Sequence, residues 1–414
     1  MWCDAELRQF CALELNWFKQ SRLDSLGGPM TTINALSRIH GNRHLSNGPW
    51  SLWVESATGS LLSLKHSGDS HCDYISPRSH NSKLKFGDMW LKVGQWEGSA
   101  ALLSDSLTSV RIGSSFIQRD YVLTAGSGPV INVKESLFIK ASGLEWRIEL
   151  VNQTDKPLDI EKLKVFLPLN QDFGGIPQQE MYEERVIAKF LPAGHGGYIL
   201  VMRPSGLEPH LLFQPLGDTG FWDVQYENHP DYTSSNAYIG AASVCLVGGT
   251  QGTQSTPIVL SAGGSVELAW RGVWVDSAEQ VTTLLMDAGN PALRFLPNSC
   301  VPQGQTLKVL VNSSVPVKVQ CDTGLVSLES KGESRTLWQL LPMHSGEHLL
   351  TLTYGNDRLA YYRWFVSPAP ARVIQGRAEF VHRNQFLDED NDLRNGAIMQ
   401  WDGEAKALIT ADPR

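Results

Sequence analysis

The densest group of chemically useful side chains lies in one segment, Phe221–Tyr232, where aromatic rings alternate with carboxylates, amides and a histidine. Such residues suit a carbohydrate, because an aromatic face stacks on the apolar side of a sugar ring while carboxylates and amides bond its hydroxyl groups. The segment is non-repetitive and interrupted by Pro230, which predicts a functional loop. The alternative is that its rings only cover the edge of a β-sandwich. The predicted carbohydrate-binding residues are Trp222, Asp223, Tyr226, Glu227, His229, Asp231 and Tyr232.

Catalytic residues are not selected by any spacing in the sequence. Glu183 and Glu184 could form the carboxylate pair of a glycosidase. Neighbours on a predicted strand face opposite ways, however, so solvated charge is the favoured interpretation. Catalysis of the aldose-epimerase type needs a histidine and a carboxylate that converge in a cleft. His195, His229 and Glu227 are candidates. The catalytic residues therefore stay unassigned.

Metal and cofactor motifs are also missing from the sequence. The six cysteines form no CxxC pair and no zinc-type spacing with histidine. The glycines around Gly248 lack the lysine of a phosphate-binding loop, and the acidic run at Asp388–Asp392 lacks the glycine and glutamate of an EF-hand. We expect no metal, no cofactor and mostly free, buried cysteines, with a Cys300–Cys321 bridge left open.

Composition restricts the partners of this 414-residue chain. A formal net charge of −8 without a basic stripe argues against nucleic acid, and no apolar run is long enough to span a membrane. Charged residues within the first 20 positions exclude a signal peptide, which predicts a cytoplasmic protein. The glycosylation triplets at Asn152 and Asn312 would matter only in a secreted one. The oligomeric state is not given by the sequence.

From Trp50 onward, short apolar runs alternate with turns rich in Gly, Ser, Asn and Asp, which predicts a large antiparallel β-structure. The one convincing helix follows Ser277, a suitable N-cap, and ends at Gly289. After Pro297, six predicted strands at a spacing of roughly ten residues are typical of an immunoglobulin-like sandwich. The fold class is thus mainly β, with a large antiparallel β-supersandwich, an immunoglobulin-like β-sandwich and a short incomplete C-terminal segment.

Four domains are predicted along the chain. Residues 1–47, with one short helix before Gly28, form an N-terminal appendage, and residues 48–297 form the large sandwich. Residues 299–368 form the immunoglobulin-like sandwich, closed by a stiff linker at Pro368–Pro370. Residues 371–414, with a helix opening near Ala378, are too few for their own core and are interpreted as the start of a missing helical domain.

The order of these parts resembles a group of large microbial proteins. Their N-terminal half is similar to the galactose-mutarotase-like β-supersandwich of six-hairpin glycosidases, in which a following (α/α) toroid holds the catalytic carboxylates. The similarity covers about Trp50 to the C terminus. The segments that carry it are Gly87–Leu91, Glu145–Thr154, Phe166–Asn170 and Ala288–Ala292, with Arg377–Val381 and Gly396–Met399 resembling the start of the toroid.

This resemblance implies a carbohydrate-active, glycoside-hydrolase-type accessory region. It would support or present an oligo- or polysaccharide to a catalytic toroid that is absent here, and it implies an extracellular protein. Two alternatives stay open. One is a sugar epimerase or polysaccharide lyase acting within the large sandwich, which needs an inward-facing histidine and carboxylate. The other is a pair of structural or protein-binding β-domains, in which the 13 tryptophans are buried throughout.

Overall fold

A computed structural model shows mainly antiparallel β-structure among the residues that it describes, which confirms the predicted mainly β fold class. The residues it describes are 41–69, 71–77, 85–94, 100–125, 128–171, 173, 176–227, 241–249, 255–322, 327–330, 335–340 and 344–386.

The strands fall into an N-terminal and a C-terminal series. The first series comprises β1 Asn42–Asn47, β2 Trp50–Glu55, β3 Leu61–His66, β4 Met89–Val93, β5 Ala100–Leu102, β6 Leu107–Ile112, β7 Phe116–Ala125, β8 Gly128–Lys140, β9 Gly143–Asn152, β10 Leu158–Leu167, β11 Ile187–Leu191, β12 Ala193–Gly194, β13 Tyr198–Met202, β14 His210–Leu216, β15 Asp223–Glu227, β16 Ala241–Val247, β17 Ile258–Leu260 and β18 Ser265–Val275. The second comprises β19 Ala292–Leu296, β20 Cys300–Pro302, β21 Leu307–Asn312, β22 Val317–Cys321, β23 Ser327–Ser330, β24 Arg335–Leu340, β25 Gly346–Tyr354 and β26 Arg358–Ser367.

The helices are few and short. Among the described residues, none is long and apolar enough to cross a membrane. They are α1 Gln178–Glu184, α2 Ala278–Asp287 and α3 Pro370–Phe380, with a 3-10 turn at Leu103–Ser106 and a π-helical turn at Val381–Gln385.

The chain divides into two compact units. The first runs to Ala292 and also includes Ser313–Lys318 and Thr351–Tyr362; the second comprises Leu293–Asn312, Val319–Leu350 and the residues from Arg363 on. In the first unit, a three-stranded sheet has the order β1-β2-β3 and an eight-stranded sheet the order β11-β13-β14-β18-β9-β8-β7-β6. A six-stranded sheet has the order β15-β16-β10-β4-β5, with β17 paired to β10.

One hydrophobic core joins these three sheets. Its members include the fully buried Leu52 on β2, Leu91 on β4 and Ile148 on β9. Strand β9 shows why the sequence folds this way, because its buried and partly exposed residues alternate along its length. A strand that alternates in this manner turns one face to the core and the other to solvent.

Helix α2 begins and ends as its sequence predicts. The hydroxyl of Ser277 accepts the N–H of Gln280 at 3.1 Å, and Gly289 ends the helix with a φ of +71°. Val281 and Leu285 turn inward and pack with Leu212 of β14.

Loss of this cap gives a first prediction. Ser277→Ala should lower the free energy of unfolding by about 1 kcal/mol, because one N–H at the helix start loses its acceptor. Urea unfolding followed by tryptophan fluorescence measures the change. Ser277→Asp keeps an acceptor and suits the helix dipole, so it should be close to wild type. An equal loss in both variants would contradict a capping role.

Four local expectations are corrected by the structure. Residues 42–47, assigned to an appendage without periodicity, form strand β1, which pairs with β2. Asp223–Glu227, predicted as loop, forms strand β15 and pairs with β16. Glu183 and Glu184 lie on helix α1 and not on a strand. Helix α3 begins at Pro370, where a linker was predicted, because proline fits the first helical position.

The triplet that begins at Asn152 is part of the fold. The Asn152 side chain is 1% exposed, and its amide nitrogen donates to the carbonyl oxygens of Lys156, Leu260 and Ser261 at 2.7–3.2 Å. A buried amide with this many partners stabilises the connection after β9. The folded protein therefore offers no access to a glycan at this position.

The second unit contains a four-stranded sheet with the order β19-β21-β24-β23. Strand β20 runs parallel to the end of β26, with Cys300 opposite Phe365. His348 stacks on the buried Trp364 at a ring distance of 4.6 Å. The immunoglobulin-like arrangement and the four domain boundaries stay predictions.

The prediction of mostly buried cysteines without disulfide bonds is met in part by the four that the structure describes. Cys72 and Cys245 are buried, Cys300 is exposed and Cys321 is partly exposed, and none of the four forms a disulfide bond. The bridge left open between Cys300 and Cys321 is therefore not formed. Burial also raises the pKa of the Cys72 thiol to about 12, which keeps it protonated and unreactive.

Candidate functional site

The six-stranded sheet of the first unit has one buried face and one polar face. Along β4 every second side chain is buried. On β10 Leu163 and Val165 are buried while Lys162 and Lys164 are partly exposed, and the pairing with β4 puts these two lysines beside Lys92 and Trp90. We call this side the outer face. Its described members on these two strands are Trp90, Lys92, Lys162 and Lys164, all of them partly exposed.

A straight row of residues crosses the outer face from strand to strand. Trp90 pairs with Lys164, Lys164 with Cys245, and Cys245 with Asp223. Neighbouring strands lie about 4.8 Å apart, so the row spans roughly 14 Å from β4 to β15. Cys245, in the middle of the row, is fully buried, whereas Trp90, Lys164 and Asp223 are partly exposed.

In the middle of the row, strand β16 carries small side chains, and the neighbouring strands carry longer ones. On β16 the outward positions hold Ser243 and Cys245, which are small and buried. Lys162 reaches across this strand and donates to Gln225 Oε1 at 3.3 Å, and Gln225 Nε2 donates to Asp223 Oδ2 at 2.9 Å. A lysine, an amide and a carboxylate are thus held in one chain of hydrogen bonds across the sheet.

Two contacts fix the other end of the outer face. The Lys164 ammonium lies 5.1 Å from the centroid of the Trp90 ring, within the range of a cation–π contact. Lys92 forms an ion pair with Glu161. These side chains are held in place before any ligand arrives, which lowers the entropy that binding would cost.

Trp222, the central aromatic residue of the sequence prediction, lies beside this face but is only 8% exposed. Its backbone N–H donates to the Cys245 carbonyl at 2.8 Å. Its ring meets the edge of His195 at 5.1 Å and lies 6.5 Å from Tyr361. Packing of this kind accounts for a tryptophan at this position without a ligand.

His195 is held as a neutral ring. Burial, followed by the nearby Arg358 guanidinium, lowers the pKa of the imidazole. Its Nδ1 accepts the N–H of Leu359 at 3.1 Å, which places the ring proton on Nε2. No histidine in the described part of the first unit lies within ion-pair distance of a carboxylate. The inward histidine–carboxylate pair that an epimerase needs is therefore not found among these residues.

A second group of ionisable side chains is enclosed between the sheets. Arg119 on β7 donates to Glu135 Oε1 on β8 at 2.6 Å and to Asp88 Oδ1 at 3.3 Å. Tyr121 and Trp146 complete the ring around Glu135, donating at 2.9 and 2.7 Å. We call these five residues the buried ion cluster.

The buried ion cluster is closed to substrates. The Arg119 and Glu135 side chains are 5% and 3% exposed, and the adjoining cavity of about 10 Å³ has room for a single water molecule. Burial outweighs the attraction of Arg119 and raises the pKa of Asp88 to about 6. The cluster connects the two larger sheets, and we interpret its role as structural.

The predicted carbohydrate-binding residues are only partly accounted for. Trp222 and Asp223 are described, and Asp223 is the one that reaches the outer face through its row partner Cys245. Tyr226 and Glu227 lie on strand β15. His229, Asp231 and Tyr232 lie outside the described residues. Their role in binding stays a prediction. Within the described part of the chain, no cluster of side chains could hold a metal ion.

Sequence reasoning missed Trp90, Lys162, Lys164 and Gln225. Strand β10 carried a local signal, because Leu163–Val165 alternates apolar and polar residues. That alternation shows which residues share a face of one strand. It does not show that β10 lies between β4 and β16, which is what brings these side chains together.

Comparison with protein families gives a match over residues 54–414 to DUF5695, a family of unknown function. The chain belongs to the DUF5695 family. This match covers every residue of the outer face and of the buried ion cluster. No curated protein matches the sequence.

This DUF5695 chain resembles a solved structure in fold. A polysaccharide lyase superposes with a TM-score of 0.64 over 86% of this chain and 51% of its own, at 16% identity. The chain thus spans about half the length of that lyase. A galactose mutarotase-like protein from Lactobacillus casei has a TM-score of 0.38, with 57% and 100% covered at 11% identity. A galactose 1-epimerase from Lactobacillus acidophilus has a TM-score of 0.36, with 57% and 94% covered at 10% identity.

Proposed function

We propose that the first unit binds a polysaccharide across the outer face of its six-stranded sheet. The observation that carries the proposal is the row from Trp90 through Lys164 to Asp223, built on three strand pairings. Sugar recognition needs an apolar ring, hydrogen-bond donors and acceptors within reach of one another. The outer face offers all three along a length suited to a short oligosaccharide.

The likeness in fold to a polysaccharide lyase supports a carbohydrate as the ligand. The DUF5695 chain would serve as an accessory region that holds the glycan, in line with the two successive β-regions of the sequence. Binding by Asp223, Tyr226, Glu227 and the residues after them is part of the same proposal, since Asp223 joins that segment to the row.

Affinity measurements on the purified chain test this proposal. Polysaccharides immobilised in native gels would retard the protein if they bind it, and calorimetry with oligosaccharides would give the dissociation constant. Trp90→Ala should weaken binding about tenfold, which corresponds to roughly 1.4 kcal/mol for one lost aromatic contact. Trp90→Phe keeps a ring and should retain most of the affinity.

Phe116→Ala is the matched control. This residue is an aromatic of the eight-stranded sheet, 37% exposed and remote in topology from the row. Its replacement should leave the affinity unchanged. If no polysaccharide is bound, or if Phe116→Ala and Trp90→Ala weaken binding equally, the outer face is not the binding surface.

We further propose that the glycan is presented to a catalytic (α/α) toroid that follows this region. The support for this finer proposal is the resemblance described for the sequence. Sequencing the transcript downstream of Arg414 tests it. A reading frame that continues with helical-hairpin periodicity would support a toroid, whereas a stop codon directly after Arg414 would contradict it.

A further inference from the structure

We propose that the first unit has a second glycan-binding surface, on the solvent side of the three-stranded sheet β1-β2-β3, and that this surface binds a neutral sugar. It belongs to a different sheet from the outer face, so the inference goes beyond the proposed function and does not depend on it. We call this surface the Trp53 platform. Its residues are His44 and Ser46 on β1 and Ser51 and Trp53 on β2.

Strand β2 divides its side chains into two sets. Trp50, Leu52 and Val54 are at most 1% exposed and belong to the hydrophobic core. Ser51 and Trp53 alternate with them and are partly exposed, because successive side chains of a strand point to opposite sides of its sheet. Trp53 is therefore a large aromatic residue on the side where polar residues are expected.

The Trp53 ring is paired with a second ring on the neighbouring edge strand. His44 lies directly opposite Trp53, and their ring centroids are 5.1 Å apart with the planes inclined by 40°. Within the described part of the chain, the indole of Trp53 makes no other ring contact, and its N–H has no hydrogen-bond partner. An indole of this kind can stack on the apolar side of a sugar ring while its N–H bonds a hydroxyl group.

Hydroxyl groups border the two rings. The Ser51 hydroxyl lies 3.0 Å from His44 Nε2, and the exposed Ser46 faces Ser51 across the two strands. This pair of serines is two residues, or about 7 Å, along the strands from the pair of rings. Serine hydroxyls and imidazole nitrogens both donate and accept hydrogen bonds, as the hydroxyl groups of a sugar do. The platform thus combines a stacking surface with polar groups on one side of one sheet.

The charges around the platform favour a neutral sugar. Glu55 on β2 and Lys65 on β3 border it by register, and their charges are opposite in sign. Glu55 is also paired with Lys85 at 2.6 Å. Neither sign dominates at this surface, so the recognition of a charged glycan has no basis in it. Stacking and hydrogen bonds to hydroxyl groups are the interactions that the four residues of the platform supply.

Binding of neutral polysaccharides tests this proposal. Galactomannan, xyloglucan and mixed-linkage β-glucan are immobilised in native gels, with polygalacturonate as the anionic counterpart. Oligosaccharides of each polymer that retards the chain are then titrated by calorimetry. We expect Trp53→Ala to weaken binding of a neutral glycan at this surface by about tenfold. Where the outer face binds the same glycan, calorimetry should give two sites in wild type and one in Trp53→Ala.

Two further variants separate binding from folding. Trp53→Phe keeps an aromatic ring and should retain affinity within about threefold of wild type. Phe138→Ala is the matched control, because it removes another aromatic side chain, 36% exposed, from β8 of the eight-stranded sheet. Its replacement should leave the affinity unchanged. The difference in emission between wild type and Trp53→Phe isolates the fluorescence of Trp53, which should shift to shorter wavelength when a neutral glycan excludes water from the ring.

Trp90→Ala distinguishes the failure of this inference from the failure of the proposed function. If Trp90→Ala abolishes all glycan binding and Trp53→Ala binds like wild type, the Trp53 platform is overturned and the proposed function stands. If Trp53→Ala abolishes all binding and Trp90→Ala has no effect, the platform stands and the outer face is overturned. Absence of any binding to wild type overturns both. An equal loss in Trp53→Ala and Phe138→Ala, or an equal loss for neutral and anionic glycans, also overturns the inference.

Discussion

Replacing Arg119 with methionine is expected to lower the free energy of unfolding by about 3–5 kcal/mol. The side chain is 5% exposed and contacts both Glu135 and Asp88. Methionine would fill a similar volume but leave two carboxylates buried without their counter-charge. Removing one partner of a buried ion pair costs far more than the pair contributes, because the stranded charge stays desolvated.

Chemical denaturation of wild type and Arg119→Met measures this loss. Arg111→Met is the control, because Arg111 also faces a carboxylate, Asp120 at 3.6 Å, but is 63% exposed. An ion pair at the surface contributes at most about 1 kcal/mol. Comparable losses in the two variants would show that the buried ion cluster does not stabilise the first unit in the way we infer.

The second large effect concerns pH and His210. Burial, followed by the Arg203 guanidinium, lowers the pKa of this imidazole to about 4, with Asp276 acting in the opposite direction. In the unfolded chain the imidazole titrates near its ordinary pKa of 6.5. Between these values the unfolded state takes up a proton and the folded state does not. The free energy of unfolding should therefore fall by about 3 kcal/mol from pH 7 to pH 4 through this residue.

His210→Gln removes the titrating group and should remove this part of the pH dependence. The test compares urea unfolding of wild type and variant at pH 7 and pH 4.5. Between pH 7 and pH 4.5, the free energy of unfolding of wild type should fall by about 2 kcal/mol or more beyond the fall seen in His210→Gln. Burial raises the pKa of Asp73 and Asp88 and so acts in the opposite sense, which is why the wild-type profile alone is not decisive.

His44→Gln serves as the control for this comparison. His44 is an exposed residue of β1 whose ring meets Trp53 and whose Nε2 lies 3.0 Å from the Ser51 hydroxyl. Its replacement should leave the difference between the two pH values as in wild type. If His210→Gln follows the wild-type curve at both pH values, the imidazole is not kept neutral by folding.

Much of the β-architecture could be predicted from local patterns. Glu145–Val151 alternates charged and apolar residues, which is the pattern expected of a strand with one face buried and the other in water. The cap at Ser277 and the glycine that ends helix α2 are equally local. Each of these signals depends on neighbours within a few positions.

The outer face could not be predicted in this way. Trp90, Lys164 and Asp223 are brought into one row by pairings between distant strands, and a single sequence contains no record of register. The aromatic and acidic residues predicted around Trp222 begin at one edge of this sheet, in strand β15. The residue type alone does not show whether the Trp222 ring packs against His195 or contacts a ligand.

Charged residues in the core were missed for a related reason. Arg119 and Glu135 lie in strands where a polar residue is expected to face water. They face inward because each supplies the other with a counter-charge, and Asp88, Tyr121 and Trp146 add further hydrogen bonds. Such a pair can be predicted only when both partners are known. Taken singly, each charged residue is expected at the surface.

The residue types of the triplet Asn152-Gln153-Thr154 suit the geometry of a tight turn. Asn152 Oδ1 accepts both the backbone N–H and the hydroxyl of Thr154 at 2.8 Å, which is an Asx turn closed a second time by the threonine side chain. An asparagine followed two positions later by a threonine is thus the pair of residues this bend requires. The same spacing defines the acceptor that a glycosylating enzyme recognises, so the acceptor motif here is a by-product of turn chemistry.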